Sequence, residues 1–456
     1  MESVYEGASL NHLLLVESNM TSNAITAPKG FLAAGVHCGI KESGKLDLGL
    51  IVCPKGATAA AVFTTNKIVS AAVDVSKKHV KSRKIYAVVV NSGNANACTG
   101  KKGINDAITM CAGTASLLTQ ARDTRLLRFA RNDKADGRRP THYAPKNVLV
   151  ASTGIIGHQL PMEKIKAGIA KAAAKLSDSA QAGLNFTKAI MTTDTRPKQT
   201  VRRFTIADCQ LKIENRKSKI ENRIITIAGT TKGAGMIAPN MATTLCFITT
   251  DAAITKPLLA KALKYAIGSS LNKLTVDGHQ STNDTAIILA SGLAGNRPIV
   301  SQCPPYKKFA GALADLCDDL ARQMALDAEG ATRMFKVVVK GAATKADAAK
   351  AARAIANFPL VKCAVHGGDP NWGRIICAAG SAGVKLNVNK LSCKLDAITV
   401  FRNGAAAKFD RESAGKVVLQ TEHTITVDLG VGSASDFCYG CDLSAQYVNI
   451  NAHYHT

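Results

Sequence analysis

The stretch Lys232-Gly-Ala-Gly-Met-Ile-Ala-Pro-Asn-Met-Ala-Thr-Thr-Leu245 constrains this 456-residue chain more than any other. Gly233 and Gly235 let the backbone approach tightly, Pro239 forbids a helix across the segment, and the apolar run from Leu245 reads as a strand. A small residue, Ala242, stands directly before a hydroxyl residue, Thr243. That arrangement suits a chain that cuts itself. A threonine at a strained turn can attack the carbonyl before it, take the acyl group onto oxygen and hydrolyse, leaving Thr243 as a new N-terminus. Its α-amine, with an ordinary pKa of about 8, can then act as base for its own hydroxyl.

Spacing alone leaves other readings open. Threonines before a strand are mostly structural. Gly233-Ala-Gly235-Met-Ile-Ala238 also fits G-x-G-x-x-A after the strand-like Ile224–Ala228, as in a dinucleotide-binding turn. A helix starting at those glycines would run into Pro239, which disfavours that reading.

The length gives room for two or three domains and a large core. With 46% hydrophobic and 20% charged residues, the composition is that of an ordinary globular protein. No apolar run approaches the roughly 18 residues that span a bilayer, so no membrane partner is expected. The first 20 residues hold Glu2, Glu6 and Glu17 and no Lys or Arg. That argues against a signal peptide or mitochondrial presequence and for a cytoplasmic setting, in which the 13 cysteines stay reduced. Cys438 and Cys441 have C-x-x-C spacing, but a second pair is missing, and His453 and His455 sit in an alternating C-terminal run; packing is expected there, not a metal.

A net charge of +25 invites a polyanion partner. Residues 120–146 carry +5 and 211–223 carry +3, and both read as inserted surface loops; without them +17 remains, so the bias is spread through the chain. Diffuse charge suits acidic metabolites as well as nucleic acid. With 5% aromatics and no helix-turn-helix, zinc finger or aromatic-studded basic strand, no nucleic-acid partner is expected. A basic nucleic-acid-binding protein stays an alternative, as does a decayed enzyme whose insertions displace its motifs.

Buried strands are predicted at 84–90, 147–151, 223–227, 245–249, 335–339 and 424–427, and helices at 162–177, 256–270, 304–326 and 344–357. Thr255 and Pro257 read as N-cap and first turn of the second helix. Leu313, Leu316, Leu320 and Met324 form a core stripe on the third. The class is α/β, helices layered on sheets.

Many ordered segments resemble the ornithine acetyltransferases, the bifunctional glutamate N-acetyltransferases of arginine biosynthesis. They are 25–31, 63–67, Asn91-Ser-Gly-Asn-Ala-Asn-Ala-Cys-Thr-Gly100, 151–157, Met191-Thr-Thr-Asp-Thr195, 232–251, 276–278, Ser281-Thr-Asn-Asp284, Asp369-Pro-Asn-Trp-Gly-Arg374 and 449–456. The similarity covers nearly all of residues 24–456, which leaves 1–23 as an N-terminal extension, with Met20 an alternative start.

The resemblance implies a layered α-β-β-α fold shared with self-processing aminopeptidases. It implies cleavage between Ala242 and Thr243 into an α chain, 24–242 with the extension, and a β chain, 243–456, associating as an α2β2 heterotetramer. It assigns Thr243 as nucleophile and Thr153 and Gly154 as the oxyanion hole, expected in a loop after the strand 147–151. Thr192, Lys232, Thr243, Glu329, Asn451 and Thr456 carry over as substrate-binding residues, with the Lys232 ammonium suited to an α-carboxylate and Glu329 to an amine. Thr244 is the local competitor of Thr243 and stands where the family often has Met. The implied reaction is ping-pong transfer of acetyl from N2-acetylornithine to glutamate, with no metal or organic cofactor and with acetyl-CoA as a co-substrate in some relatives. An aminopeptidase or amidase on the same scaffold is the alternative. Asp369–Arg374 reads as a turn in which Arg374 braces a carboxylate.

Overall fold

The protein is described here by a computed structural model covering residues 24–120, 143–207, 222–238 and 244–453. Its framework depends on one long strand. β1 is Leu32–Val36 and β2 is Leu48–Phe63. Pro54 removes a ladder donor and Gly56 has φ +75°, and the register of β2 against β3, Ile85–Asn94, shifts between Val52 and Ala57. The strand therefore serves two sheet halves. Its first half pairs with β1 and β3, and β3 pairs in parallel with β4, Val148–Ile155. Its second half pairs with β8, Thr285–Ala290, and the order continues through β7 (Leu245–Thr250) and β6 (Asn222–Lys232) to β5 (Lys198–Ala207).

The two halves face each other across an apolar core that includes Ile51, Val88, Val90 and Leu149 from one and Phe247, Ile287 and Leu289 from the other. Strand alternation sends the neighbouring side chains outward. Leu50, Val89 and Val150 pack beneath α1 (Ala71–His79), α2 (Gly100–Gln120) and α3 (Met162–Ala174). α4, Ala180–Ile190, sends Phe186 into the inner core, edge-on to Phe247 at 5.4 Å. Ile227, Ile248 and Ile288 pack beneath α5 (Lys256–Ser269) and α6 (Pro304–Leu326). The layers are thus α-β-β-α.

A second sheet follows, which sequence patterning did not separate as a body of its own. It comprises β9 (Met334–Ala342), β10 (Ser392–Leu395), β11 (Ile398–Arg402), β12 (Ala405–Ala406), β13 (Glu422–Asp428) and β14 (Ala434–Cys441), in the order β12-β11-β10-β13-β9-β14. α7 (Lys345–Asn357), α8 (Pro359–His366), α9 (Trp372–Gly380) and α10 (Arg411–Val418) enclose its core. Last comes α11, Ala445–His453.

Each predicted strand and helix is present, and the stripe Leu313, Leu316, Leu320 and Met324 is buried. Thr255 occupies the N-cap of α5, but its side chain makes no capping bond. Cys438 and Cys441 are three apart on β14, so they point to opposite faces, Cys438 into the second core and Cys441 into the core beneath α6. Among the described residues no helix is long and apolar enough to cross a membrane.

Three expectations are corrected. The C-terminal run is a helix to His453, not an alternating segment. Arg374 donates to the Leu360 carbonyl at 3.0 Å and braces no carboxylate among the described residues; Arg411 holds Asp369 at 2.8 Å instead. Residues 143–146 belong to the fold: Tyr143 is buried, edge-on to Tyr86 at 4.9 Å. Residues 121–142 of the 120–146 stretch and nearly all of 211–223 lie outside the described residues.

Candidate active site

Strand ends of both sheet halves meet at a cavity of about 330 Å³. β4 brings Thr153 and Gly154, β6 ends on Lys232, Thr244 precedes β7, and Asn283 and Asp284 precede β8. Thr192 enters from the segment between α4 and β5, Glu329 from just beyond α6, and Tyr447 and Asn451 from α11. The structure thus gathers Thr153, Gly154, Thr192, Lys232, Glu329 and Asn451 around one space. Ala242, Thr243 and Thr456 lie outside the described residues, but Thr244, the neighbour of Thr243, lines the cavity. The Thr244 hydroxyl is engaged with Thr231 Oγ1 at 3.0 Å.

Thr153 and Gly154 correct the sequence reading in one respect. They are residues of β4 itself, in register with Ser92 and Gly93 of β3, and not of a loop beyond it. Gly154 has φ +129°, and a Cβ there would lie 2.3 Å from the Gly93 carbonyl carbon. Only glycine allows that approach. Asn283 Nδ2 donates to the Ser152 and Ala95 carbonyls at 2.7 and 2.6 Å, fixing the end of β4 to the start of β8.

The loop after β6 is clamped by two carboxylates. Asp194 Oδ1 accepts from Gly233 N at 2.8 Å, while its Oδ2 accepts from Thr192 N at 3.0 Å. Asp277 accepts from Met236 N and Ile237 N at 2.7 and 2.9 Å. Glu329 packs against Gly235 so closely that a Cβ there would lie 2.2 Å from Oε2. Four of the cavity-lining side chains pair with one another. Lys232 Nζ donates to Thr192 Oγ1 at 2.9 Å, and Asn451 Nδ2 to Glu329 Oε2 at 2.9 Å.

Buried charge supports this arrangement. Lys198, 1% exposed, hydrogen-bonds both Asp194 and Asp327, and Asp327 accepts from Thr195 N and Oγ1. Burial works against the Asp194 carboxylate, but Lys198, Lys232 and the Gly233 N–H outweigh it and hold its pKa at about 2. Burial lowers Lys232 despite the opposing pull of Asp194 and Asp284. Asp284 goes the other way: burial raises it well above the usual carboxylate range. Among the described residues no group of three or more His, Cys, Asp or Glu side chains could hold a metal.

Sequence reasoning gave no role to Asp194, Asp277, Asn283 or Asp284, although each stood in a quoted motif. Lys198 and Asp327 had no signal, since a lone charged residue in a sequence reads as solvated surface.

The chain matches the ArgJ family over residues 32–456. It belongs to that family. An arginine biosynthesis bifunctional protein ArgJ from Symbiobacterium thermophilum is 41% identical over 437 residues, 95% of this chain and 99% of that one. One from Bacillus cereus is 42% identical over 445 residues, 96% and 98%. A crystal structure of ArgJ from Bacillus halodurans is 39% identical and covers 46% of this chain and 98% of its own, with a TM-score of 0.45. With membership comes the class of chemistry: the chain is an acyltransferase of arginine biosynthesis.

Proposed function

We propose that this ArgJ-family chain moves the acetyl group of N2-acetylornithine to glutamate through an acetyl ester on Thr243. The observation that carries the proposal is the convergence of Thr153, Gly154, Thr192, Lys232, Glu329 and Asn451 on one cavity that Thr244 also lines. Self-cleavage before Thr243 frees its α-amine as base, giving an α chain to 242 and a β chain from 243 that remain associated as an α2β2 assembly. Thr243 Oγ attacks the acetyl carbonyl. The oxyanion rests on Thr153 and Gly154, where one donor contributes about 10²–10³ in rate. Lys232 receives the α-carboxylate and the Glu329–Asn451 pair the side-chain amine of ornithine. Ornithine leaves, and glutamate takes the acetyl group in the second half of the cycle. Acetyl-CoA is the alternative donor, no metal or organic cofactor takes part, and the setting is cytoplasmic.

An aminopeptidase or amidase on the same scaffold has no need to keep Lys232, Glu329 and Asn451 together. The test is transfer of labelled acetyl from N2-acetylornithine to glutamate. Label in N-acetylglutamate, weakened by Lys232→Met and Glu329→Gln through KM, supports the proposal. Label released only as acetate would replace it with the amidase.

A further inference from the structure

The cavity holds one acidic group to which the reaction above gives no task. Asp284 is 2% exposed, lines the cavity, and its Oδ2 has no hydrogen-bond partner among the described residues. A buried, unpaired carboxyl oxygen is costly, and a folded chain keeps one only where something else satisfies it. Among the described residues no hydrogen bond from Lys232 reaches this oxygen; the ammonium donates to Thr192. Position matters as well. β7 and β8 run parallel with Leu245 opposite Thr285, and Thr285 N donates to the Thr244 carbonyl at 2.8 Å. Asp284 therefore stands one strand away from the residue that follows Thr243.

We propose that Asp284 is the proton exchanger for the α-amines of the two substrates, a step that rests on the acetyl-Thr243 reading. In the first half-reaction the Thr243 Oγ–carbon bond forms and the carbon–nitrogen bond of N2-acetylornithine breaks. The hydroxyl proton passes through the Thr243 α-amine to the leaving nitrogen, giving a neutral primary amine. Asp284 then gives its carboxyl proton to that amine, and ornithine leaves as the ammonium. In the second half glutamate arrives as an ammonium, which cannot attack. Asp284, now a carboxylate, takes one proton from it. The freed amine attacks the ester, the carbon–oxygen bond breaks, and the amine's surplus proton returns through the α-amine to Thr243 Oγ. Asp284 is then neutral again and the proton count closes over the cycle.

The surroundings support a carboxyl that starts neutral. Lys232 and Ser281 favour the charged form, and burial outweighs both. The other ionisable groups lining the cavity are Asp277, His279, Glu329 and Tyr447. No neighbouring Arg stands among the lining residues to lock Asp284 as an anion.

The experiment uses the full chain. Acetyl-enzyme is formed with N2-acetylornithine, freed of product, and deacetylated by either glutamate or hydroxylamine, a small nucleophile already neutral at pH 7. Asp284→Asn is expected to slow attack by glutamate by about 10²–10⁴-fold and attack by hydroxylamine by less than about threefold, with Asp284→Glu partly restoring the glutamate rate. Equal losses with both nucleophiles, or none, would overturn the assignment. If Asp284→Asn fails to cleave or fold, Asp284→Glu decides: glutamate attack should be slowed several-fold more than hydroxylamine attack, and equal losses with both nucleophiles would overturn the assignment. Absence of any acetyl-enzyme in the unchanged protein would instead reject the acetyl-Thr243 reading beneath it.

Discussion

Asp194 Oδ1 accepts from Gly233 N at 2.8 Å, which ties the glycine loop before Thr244 to a buried ion-pair network. The other oxygen of the same carboxylate accepts from Thr192 N, and Lys198 links it to Asp327 at the end of α6, two residues before Glu329. One buried carboxylate therefore sets the relative positions of Thr192, Lys232 and Glu329.

Asp194→Ala leaves Lys198 without one of its two anions and Gly233 N without an acceptor. Breaking a buried pair by removing one partner costs about 3–5 kcal/mol. The expected outcome is a lower denaturant midpoint together with loss of acetyl transfer, read by equilibrium unfolding and by the transfer assay. A variant of unchanged stability would show that the network positions nothing.

Gly235→Ala tests the Glu329 seat. The added methyl would lie 2.2 Å from Glu329 Oε2, so the carboxylate must shift and its hydrogen bond with Asn451 is disturbed. Loss of a hydrogen bond to a charged group weakens binding by about 1.5–3 kcal/mol. KM for N2-acetylornithine should rise by roughly tenfold or more, with a smaller change in kcat. Steady-state kinetics on the cleaved protein measure this.

Gly154→Ala should act on kcat instead. At φ +129° an alanine is strained, and its Cβ would meet the β3 backbone at 2.3 Å, which cannot yield as a side-chain end can. The end of β4 must shift, and with it the proposed oxyanion donors Thr153 and Gly154, so kcat should fall by about 10²–10³.

His423 supplies a pH dependence away from the cavity. It is 4% exposed, stacks on Phe335 at 5.9 Å, and neither ring nitrogen has a partner among the described residues. Burial lowers its pKa from 6.5 to about 4, with Arg333 acting in the same direction and Asp396 against it. The unfolded chain takes up the proton first. Stability is therefore full above about pH 6.5 and declines as pH falls towards 4, by up to about 1.4 kcal/mol per unit. His423→Phe keeps the ring stack and should remove this decline. Denaturant midpoints at pH 7 and pH 5 would differ less in the variant than in the unchanged protein.

Much of this was legible in the sequence, for reasons that differ by residue. Strands such as β3 and β4 are continuous apolar runs, and the α6 stripe repeats at helical spacing, so local patterning sufficed. Pro54 and Gly56 were visible, but the passage of β2 between sheet halves depends on partners far away in the chain. Thr153, Lys232 and Glu329 were named through resemblance, because spacing cannot bring residues nearly 180 positions apart to one cavity. Lys198 and Asp327 stayed hidden, since nothing local distinguishes a buried ion pair from two solvated charges. Arg374 misled: its guanidinium finds the Leu360 carbonyl first.

The most direct test of the central claim is the intact mass of the purified protein under denaturing conditions, beside Thr243→Ala. The account predicts two fragments dividing between Ala242 and Thr243, with the β fragment gaining one acetyl group from N2-acetylornithine and losing it to glutamate, while the variant stays whole. A single uncut chain, or an acetyl group on any residue other than Thr243, would contradict it.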